Sequence, residues 1–124
     1  MYYLYLITSL RGRAGFGITS DYKERNQQYA SHSGDIVKFS YIYGGLSTHA
    51  KTVESTIKRQ YVDNIWMVDD WKTEWLKDGI SMSDLKSYVD DLVNNRHYRI
   101  QVVAEDYDFT QGILEENLNK EKAP

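Results

Sequence analysis

Two short runs of β-forming residues stand close together at the start of the chain, and they constrain the fold more than any other feature. Side chains alternate between two faces of a predicted strand from Tyr2 to Ile7, with Tyr3 and Tyr5 on the same face. A loop containing glycine and serine follows, and a second short strand is predicted from Gly15 to Ile18. The chain is therefore expected to begin with a β-hairpin.

Helical and extended patterns alternate along the rest of the chain. Helices are predicted at about 22–29, 49–61 and 81–93, and further strands at 36–43 and 98–104. The tryptophan-containing segment DDWKTEWLKDG is interpreted as either a short helix or an irregular stretch, and a last helix is predicted after residue 110. The order β-β-α-β-α-α-β predicts an α+β fold with a small, mostly antiparallel sheet.

Composition excludes several classes of protein. The 124 residues suffice for one domain, and no apolar run approaches the ~18 residues of a membrane span. The N-terminus lacks the pattern of a signal peptide, and the absence of cysteine excludes disulfides and thiolate chemistry. We expect a cytoplasmic protein.

The charge is divided unevenly between the two halves of the chain. Residues 1–62 hold eight Lys/Arg against four Asp/Glu, whereas residues 63–124 hold seven against fourteen, within a net charge of −3. A basic half is typical of phosphate binding, while an acidic half limits non-specific association. A division without functional meaning is the alternative at this stage.

Three groups of side chains are placed unusually for a simple core. Tyr22, Arg25, Asn26 and Tyr29 share one face of the first predicted helix, where an ordinary core face would carry leucine or isoleucine. The alternatives are that Arg25 is solvated or ion-paired and that the tyrosines only pack.

Glu54 lies beside the apolar stripe of the second helix, where a carboxylate is costly unless it is paired or binds a cation. Its alternative explanation is a salt bridge with Lys51, Lys58 or Arg59. In the hairpin, Gly15 and Gly17 are expected to leave space beside the phenols of the facing strand, which opens a pocket.

These pieces, in this order, resemble the GIY-YIG nuclease domain. Tyr3-Leu4-Tyr5 stands at the first motif, and GFGIT, from Gly15 to Thr19, stands at the second, with Gly15 in the place of its tyrosine. Arg25 matches the arginine of the following helix, and Tyr29 lies where a histidine is frequent. Glu54 matches the metal-binding glutamate of a later helix.

The resemblance implies a three-stranded sheet flanked by helices in a nuclease domain spanning residues 1–93. Residues 94–124 would form an extension, with a C-terminal helix and strand, packed on the same domain and ending in a frayed tail.

The implied activity is that of a DNA endonuclease, a hydrolase that cleaves phosphodiester bonds with Mg²⁺ or Mn²⁺. In this interpretation Tyr5 takes a proton from the attacking water and Arg25 neutralises charge on the phosphate, while Glu54 binds the metal. Tyr29 would complete the catalytic set, and Tyr3 is a candidate to support it.

The expected partner is DNA, and the candidates for contacts to its backbone are Arg11, Arg13, Lys23 and Lys51. The alternative function is a weakly active or inactive module of the same type that binds nucleic acid or a protein. A homodimer or a partner subunit could supply specificity in either case.

Overall fold

A computed structural model of the chain describes residues 1–9, 12–33, 37–68 and 71–108. The predicted hairpin is present: β1 (Tyr3–Ser9) and β2 (Ala14–Thr19) pair antiparallel, with Tyr5 opposite Gly17. The hairpin closes through hydrogen bonds between the ends of its strands, where the Ser9 backbone N–H donates to the Arg13 carbonyl at 3.0 Å.

The sheet grows outward from this hairpin on both sides, and every strand pair is antiparallel. The remaining strands are β3 (Val37–Gly45), β4 (Ile65–Val68), β5 (Trp71–Leu76) and β6 (Ile100–Asp108). The strand order is β4-β5-β2-β1-β3-β6, in which β5 joins β2 through the pair Gly15 and Trp75 and β4 adds to β5 as a hairpin. The α+β class with an antiparallel sheet is therefore confirmed.

The predicted number of three strands is wrong, because five strands from β5 to β6 form the main sheet and β4 extends it. The segment that we interpreted as a short helix or an irregular stretch contains β5. Local sequence did not indicate this strand, because its extended conformation depends on pairing with β4 and with the edge of β2.

Within the described ranges, three helices cover the sheet: α1 (Tyr22–Ser33), α2 (Ser47–Gln60) and α3 (Met82–Asn95), with a 3₁₀ turn at Val62–Asn64. Asp21 caps α1 by accepting hydrogen bonds from the backbone N–H groups of residues 23 and 24, both at 3.1 Å. Ser81 caps α3, with its hydroxyl accepting from the Asp84 N–H at 3.0 Å. Helix α1 continues past the predicted end near Tyr29.

The two faces of the sheet bury different residues, following the alternation along β1. Leu4 and Leu6 point toward α2 and α3, in a cluster that we call the α2 face. Tyr5 and Ile7 point to the opposite side, which we call the α1 face because Tyr22 of α1 packs there. The helices therefore lie on opposite sides of one sheet, and this arrangement decides which predicted site residues can meet.

Strand β6 belongs to the same sheet as the hairpin. It pairs along β3 from Lys38 opposite Asp108 to Gly45 opposite Ile100. Residues 109–124, where a last helix and a frayed tail were predicted, lie outside the described residues.

Candidate functional site

Tyr5 and Arg25 meet on the α1 face. The Nε–H of Arg25 donates a hydrogen bond to the Tyr5 hydroxyl at 3.2 Å, and its Nη1 donates to Gln28 Oε1 at 3.3 Å. Tyr5 is fully buried, whereas Arg25 is half-buried at the surface of α1. One hydrogen bond joins the guanidinium to the sheet and the other joins it to its own helix. Together they fix a permanently charged group in position.

Gly17 allows the Tyr5 ring to lie across the neighbouring strand. A Cβ atom added at Gly17 would lie 2.3 Å from the Tyr5 hydroxyl oxygen, which no real side chain could tolerate. The ring also stacks on Phe39, with centroids 4.9 Å apart and an interplanar angle of 16°. Gly17 was expected to open a pocket beside the phenols, but the space above it is filled by Tyr5 itself.

Tyr3 supports this cluster by packing. Its ring meets Tyr22 of α1 edge to face at 5.2 Å, and Tyr22 meets Tyr107 of β6 at 5.6 Å. These contacts attach the start of α1 to the sheet. Tyr29 lies in α1, two helical turns after Tyr22, the first residue of the helix. The side chain of Tyr29 is not among those that the structure describes.

Glu54 does not join Tyr5 and Arg25. It lies on α2, whose buried residues Val53 and Ile57 pack on the opposite face of the sheet. Its carboxylate is paired with Lys58 at 3.1 Å, and its side chain is only 12% exposed. The salt bridge considered as the alternative for Glu54 is therefore present, with Lys58 as the partner one helical turn away.

The surroundings of Glu54 do not fit a resident Mg²⁺. Magnesium prefers six oxygen ligands, some of them water, and Glu54 is a single carboxylate already bound to an ammonium group. Within residues 1–9, 12–33, 37–68 and 71–108, no group of three or more His, Cys, Asp or Glu could hold a metal ion.

The predicted DNA-backbone residues do not form one surface. Arg13 lies at the end of the sheet where β1 finishes, and its Nη2 pairs with Asp78 at 3.2 Å. Lys23 is exposed in the first turn of α1, near the opposite end, and Lys51 of α2 lies over the Tyr2 ring at 4.2 Å. Arg11 lies outside the described residues.

Sequence reasoning missed a partly buried polar network on the α2 face. The Tyr43 hydroxyl of β3 donates to Asp90 Oδ1 of α3 at 2.7 Å, and Lys86 pairs with the other oxygen of the same carboxylate. Burial, followed by the hydrogen bond to Asp90 and its charge, raises the pKa of Tyr43 far above its ordinary value. The i, i+4 spacing of Lys86 and Asp90 was visible in the sequence, but their contact with Tyr43 requires the tertiary fold.

This network is suited to stabilising the packing of α3 on β3 rather than to abstracting a proton from a substrate. A phenol with a raised pKa stays protonated and acts as a hydrogen-bond donor, here to Asp90. The ammonium of Lys86 also lies over the rings of Tyr41 and Tyr43, at 4.7 and 5.4 Å from their centroids. The network therefore ties α3 to β3.

Comparison with known proteins adds no relative: no protein-family model, curated protein or solved structure matches this chain. A membrane-crossing helix requires about 18 or more apolar residues, and none of the helices in the described ranges meets this requirement.

Proposed function

We propose that this chain is a divergent GIY-YIG-like module that binds DNA through its phosphodiester backbone at the exposed side of Arg25. The observation that carries the proposal is the hydrogen bond from Arg25 Nε–H to the buried Tyr5 hydroxyl. It joins the two residues that the resemblance places at the centre of the site. It also fixes the half-buried guanidinium at the surface of α1.

Arginine suits this role for a physical reason. Its planar guanidinium remains charged at every physiological pH and donates several hydrogen bonds in a fixed geometry that matches phosphate oxygens. Contacts of this kind position a protein on DNA without reading its sequence, and they weaken as salt concentration rises. Lys23, exposed two residues before Arg25, adds a second positive charge on the same helix.

The position of Glu54 favours binding over hydrolysis in this proposal. The family mechanism needs a carboxylate-bound metal beside the phenol and the guanidinium, whereas Glu54 lies on the α2 face and is paired with Lys58. Gly15 also stands where the family has its second tyrosine, so one phenol of the usual site is missing.

Fluorescence anisotropy with a labelled duplex tests the proposal. The variant is Arg25→Gln, and Arg59→Gln is the matched control because Arg59 is an exposed arginine on α2. A lost hydrogen bond to a charged group costs about 1.5–3 kcal/mol, so we expect Kd to rise about tenfold to hundredfold for Arg25→Gln alone. Equal affinities of Arg25→Gln and the wild type would overturn the proposal.

The second candidate is the metal-dependent DNA endonuclease that the resemblance implies. The same contact between Tyr5 and Arg25 favours it, because this phenol and this guanidinium are the retained parts of that family's site. In this case a second copy or a partner subunit could supply sequence specificity.

A plasmid-nicking assay with Mg²⁺ or Mn²⁺ separates the two candidates. Nicking by the wild type that disappears in both Arg25→Ala and Glu54→Gln would establish hydrolysis and assign Glu54 a role in it. Binding without nicking by the wild type would favour the non-catalytic module. Nicking that survives both substitutions would exclude these residues as the site.

A further inference from the structure

Three segments of the chain meet at the end of the sheet where β1 and β6 begin and β3 ends. The Leu46 backbone N–H donates to the Arg99 carbonyl at 2.9 Å, and the Arg99 N–H donates to His49 Nδ1 at 2.8 Å. The Tyr2 N–H donates to the Ser47 hydroxyl at 3.1 Å. These contacts bring the N-terminal residues, the start of α2 and the turn between α3 and β6 together.

This end of the sheet is rich in positive charge. Residues 1–3, 44–53 and 94–101 contain no aspartate or glutamate, although the whole chain has a net charge of −3. Lys51, Arg96 and Arg99 are exposed there, accompanied by His49 and His97. We call these five residues the basic corner.

The cations of the basic corner differ from others in the molecule by their pairing. Among the described residues, cations elsewhere bind carboxylates, in the pairs Arg13–Asp78, Lys38–Asp106, Lys58–Glu54 and Lys86–Asp90. In the part of the chain that the structure describes, no carboxylate lies within ion-pair distance of Lys51, Arg96 or Arg99. Lys51 lies over the Tyr2 ring at 4.2 Å, but none of the three charges is neutralised by a carboxylate of the described residues.

The turn that carries Arg96 and Arg99 is held by backbone hydrogen bonds. Helix α3 ends with the Arg96 N–H bonded to the Leu92 carbonyl at 3.1 Å and the Tyr98 N–H bonded to the Val93 carbonyl at 3.0 Å. Between them His97 adopts a φ of 54°, which completes the left-handed C-terminal cap of a Schellman motif. The Tyr98 ring then packs on His49 at 5.1 Å. Binding at a preformed turn requires little further ordering of the backbone.

We propose that the basic corner binds the phosphodiester backbone of a nucleic acid. Three cations without carboxylate partners, two of them on one turn, match a chain of phosphates. The exposed side chains of Tyr2 and Leu46 beside them offer apolar surface to sugars and bases. This surface is separate from Arg25, so it goes beyond the proposed function and is tested with its own variants.

The test compares two triple variants that lose the same charge. One is Lys51→Gln/Arg96→Gln/Arg99→Gln in the basic corner, and the other is Lys38→Gln/Arg59→Gln/Lys77→Gln elsewhere on the surface. Binding of labelled single-stranded and duplex oligonucleotides is measured by anisotropy over a series of salt concentrations. Each lost phosphate contact lowers the salt slope by about 0.7 for a single strand or 0.9 for a duplex.

For the corner variant we expect the salt slope to be smaller by about 2 to 3 than that of the wild type, and the affinity to be lower. The control triple variant should keep the wild-type slope. The oligonucleotide that shows the loss identifies the form that is bound. An unchanged slope for both oligonucleotides, or an equal loss in both triple variants, would overturn the proposal.

Two further variants keep the outcome interpretable. If circular dichroism shows that the corner triple is unfolded, the single variant Arg96→Gln, at an exposed helix cap, replaces it with an expected loss of about 0.7 to 0.9 in slope. The variant Arg25→Gln separates this proposal from the previous one. Failure of the proposed function leaves the corner variant defective and Arg25→Gln normal, and failure of the present inference gives the reverse.

Discussion

The contact between Tyr43 and Asp90 makes a prediction about stability at alkaline pH. The Tyr43 side chain is 2% exposed, and its hydroxyl donates to a carboxylate at 2.7 Å. Removing the hydroxyl in Tyr43→Phe loses a hydrogen bond to a charged group, a class worth about 1.5–3 kcal/mol. Asp90 is 39% exposed and keeps its pair with Lys86, so we expect the lower end, about 1.5 kcal/mol, at neutral pH.

The greater stability of the wild type relative to Tyr43→Phe should disappear as pH rises. Burial and Asp90 raise the pKa of Tyr43 in the folded state, whereas the unfolded chain titrates near the ordinary value of about 10. The stabilisation is therefore complete below about pH 10 and is lost above it, because only the unfolded chain releases the proton. By about pH 11 the unfolded state has gained about 1.4 kcal/mol from this group, which nearly cancels the hydrogen bond.

Urea unfolding followed by far-ultraviolet circular dichroism measures both quantities. The free energies of unfolding of the wild type and Tyr43→Phe are compared near pH 8 and near pH 11. Burial also raises the pKa of Tyr61, but Tyr61 is present in both chains and its contribution cancels in the difference. A difference between the two chains that is the same at both pH values would refute the reasoning.

Three further predictions concern local geometry. Gly17→Ala should lower the free energy of unfolding by about 1–3 kcal/mol and weaken DNA binding, because the new methyl group displaces the Tyr5 hydroxyl from Arg25; unchanged stability in urea would contradict this. His97→Gly should raise the free energy of unfolding by up to about 1 kcal/mol, because glycine adopts the positive φ without strain. His97→Val should lower it, and thermal unfolding of both variants measures the two effects. Ser81→Ala should cost about 1 kcal/mol through loss of the cap on α3, and a melting temperature equal to that of the wild type would show that the cap contributes nothing.

Local patterns predicted much of the secondary structure. The alternation from Tyr2 to Ile7 indicated β1, and the apolar stripe containing Val53 and Ile57 indicated α2. Each of these patterns is formed by residues that lie close together in the sequence. The start of α2 could not be placed in this way: the helix begins at Ser47 after Leu46, and the Ser47 hydroxyl accepts from the Tyr2 N–H instead of capping the helix.

Strand β5, which the sequence did not predict, shows that local patterns do not identify a strand whose conformation depends on distant partners. The segment containing β5 had no clear periodicity, and its conformation follows from pairing with β4 and with Gly15 of β2, which lies 60 residues earlier than Trp75. The network of Tyr43, Lys86 and Asp90 was missed for the same reason, since β3 and α3 meet only after the sheet has formed.

By itself, the sequence determined the local chemistry of the chain: a hairpin with closely spaced glycines, a helix bearing Arg25, and the one-turn spacing of Glu54 and Lys58 that allows their ion pair. Only the tertiary structure decided which of these residues meet. Side chains alternate across a strand, and α1 and α2 cover opposite faces, so Tyr5 contacts Arg25 while Glu54 stays with Lys58 on the other side. The same folding of distant segments assembled the basic corner, in which His49 and Arg99 lie 50 positions apart along the chain.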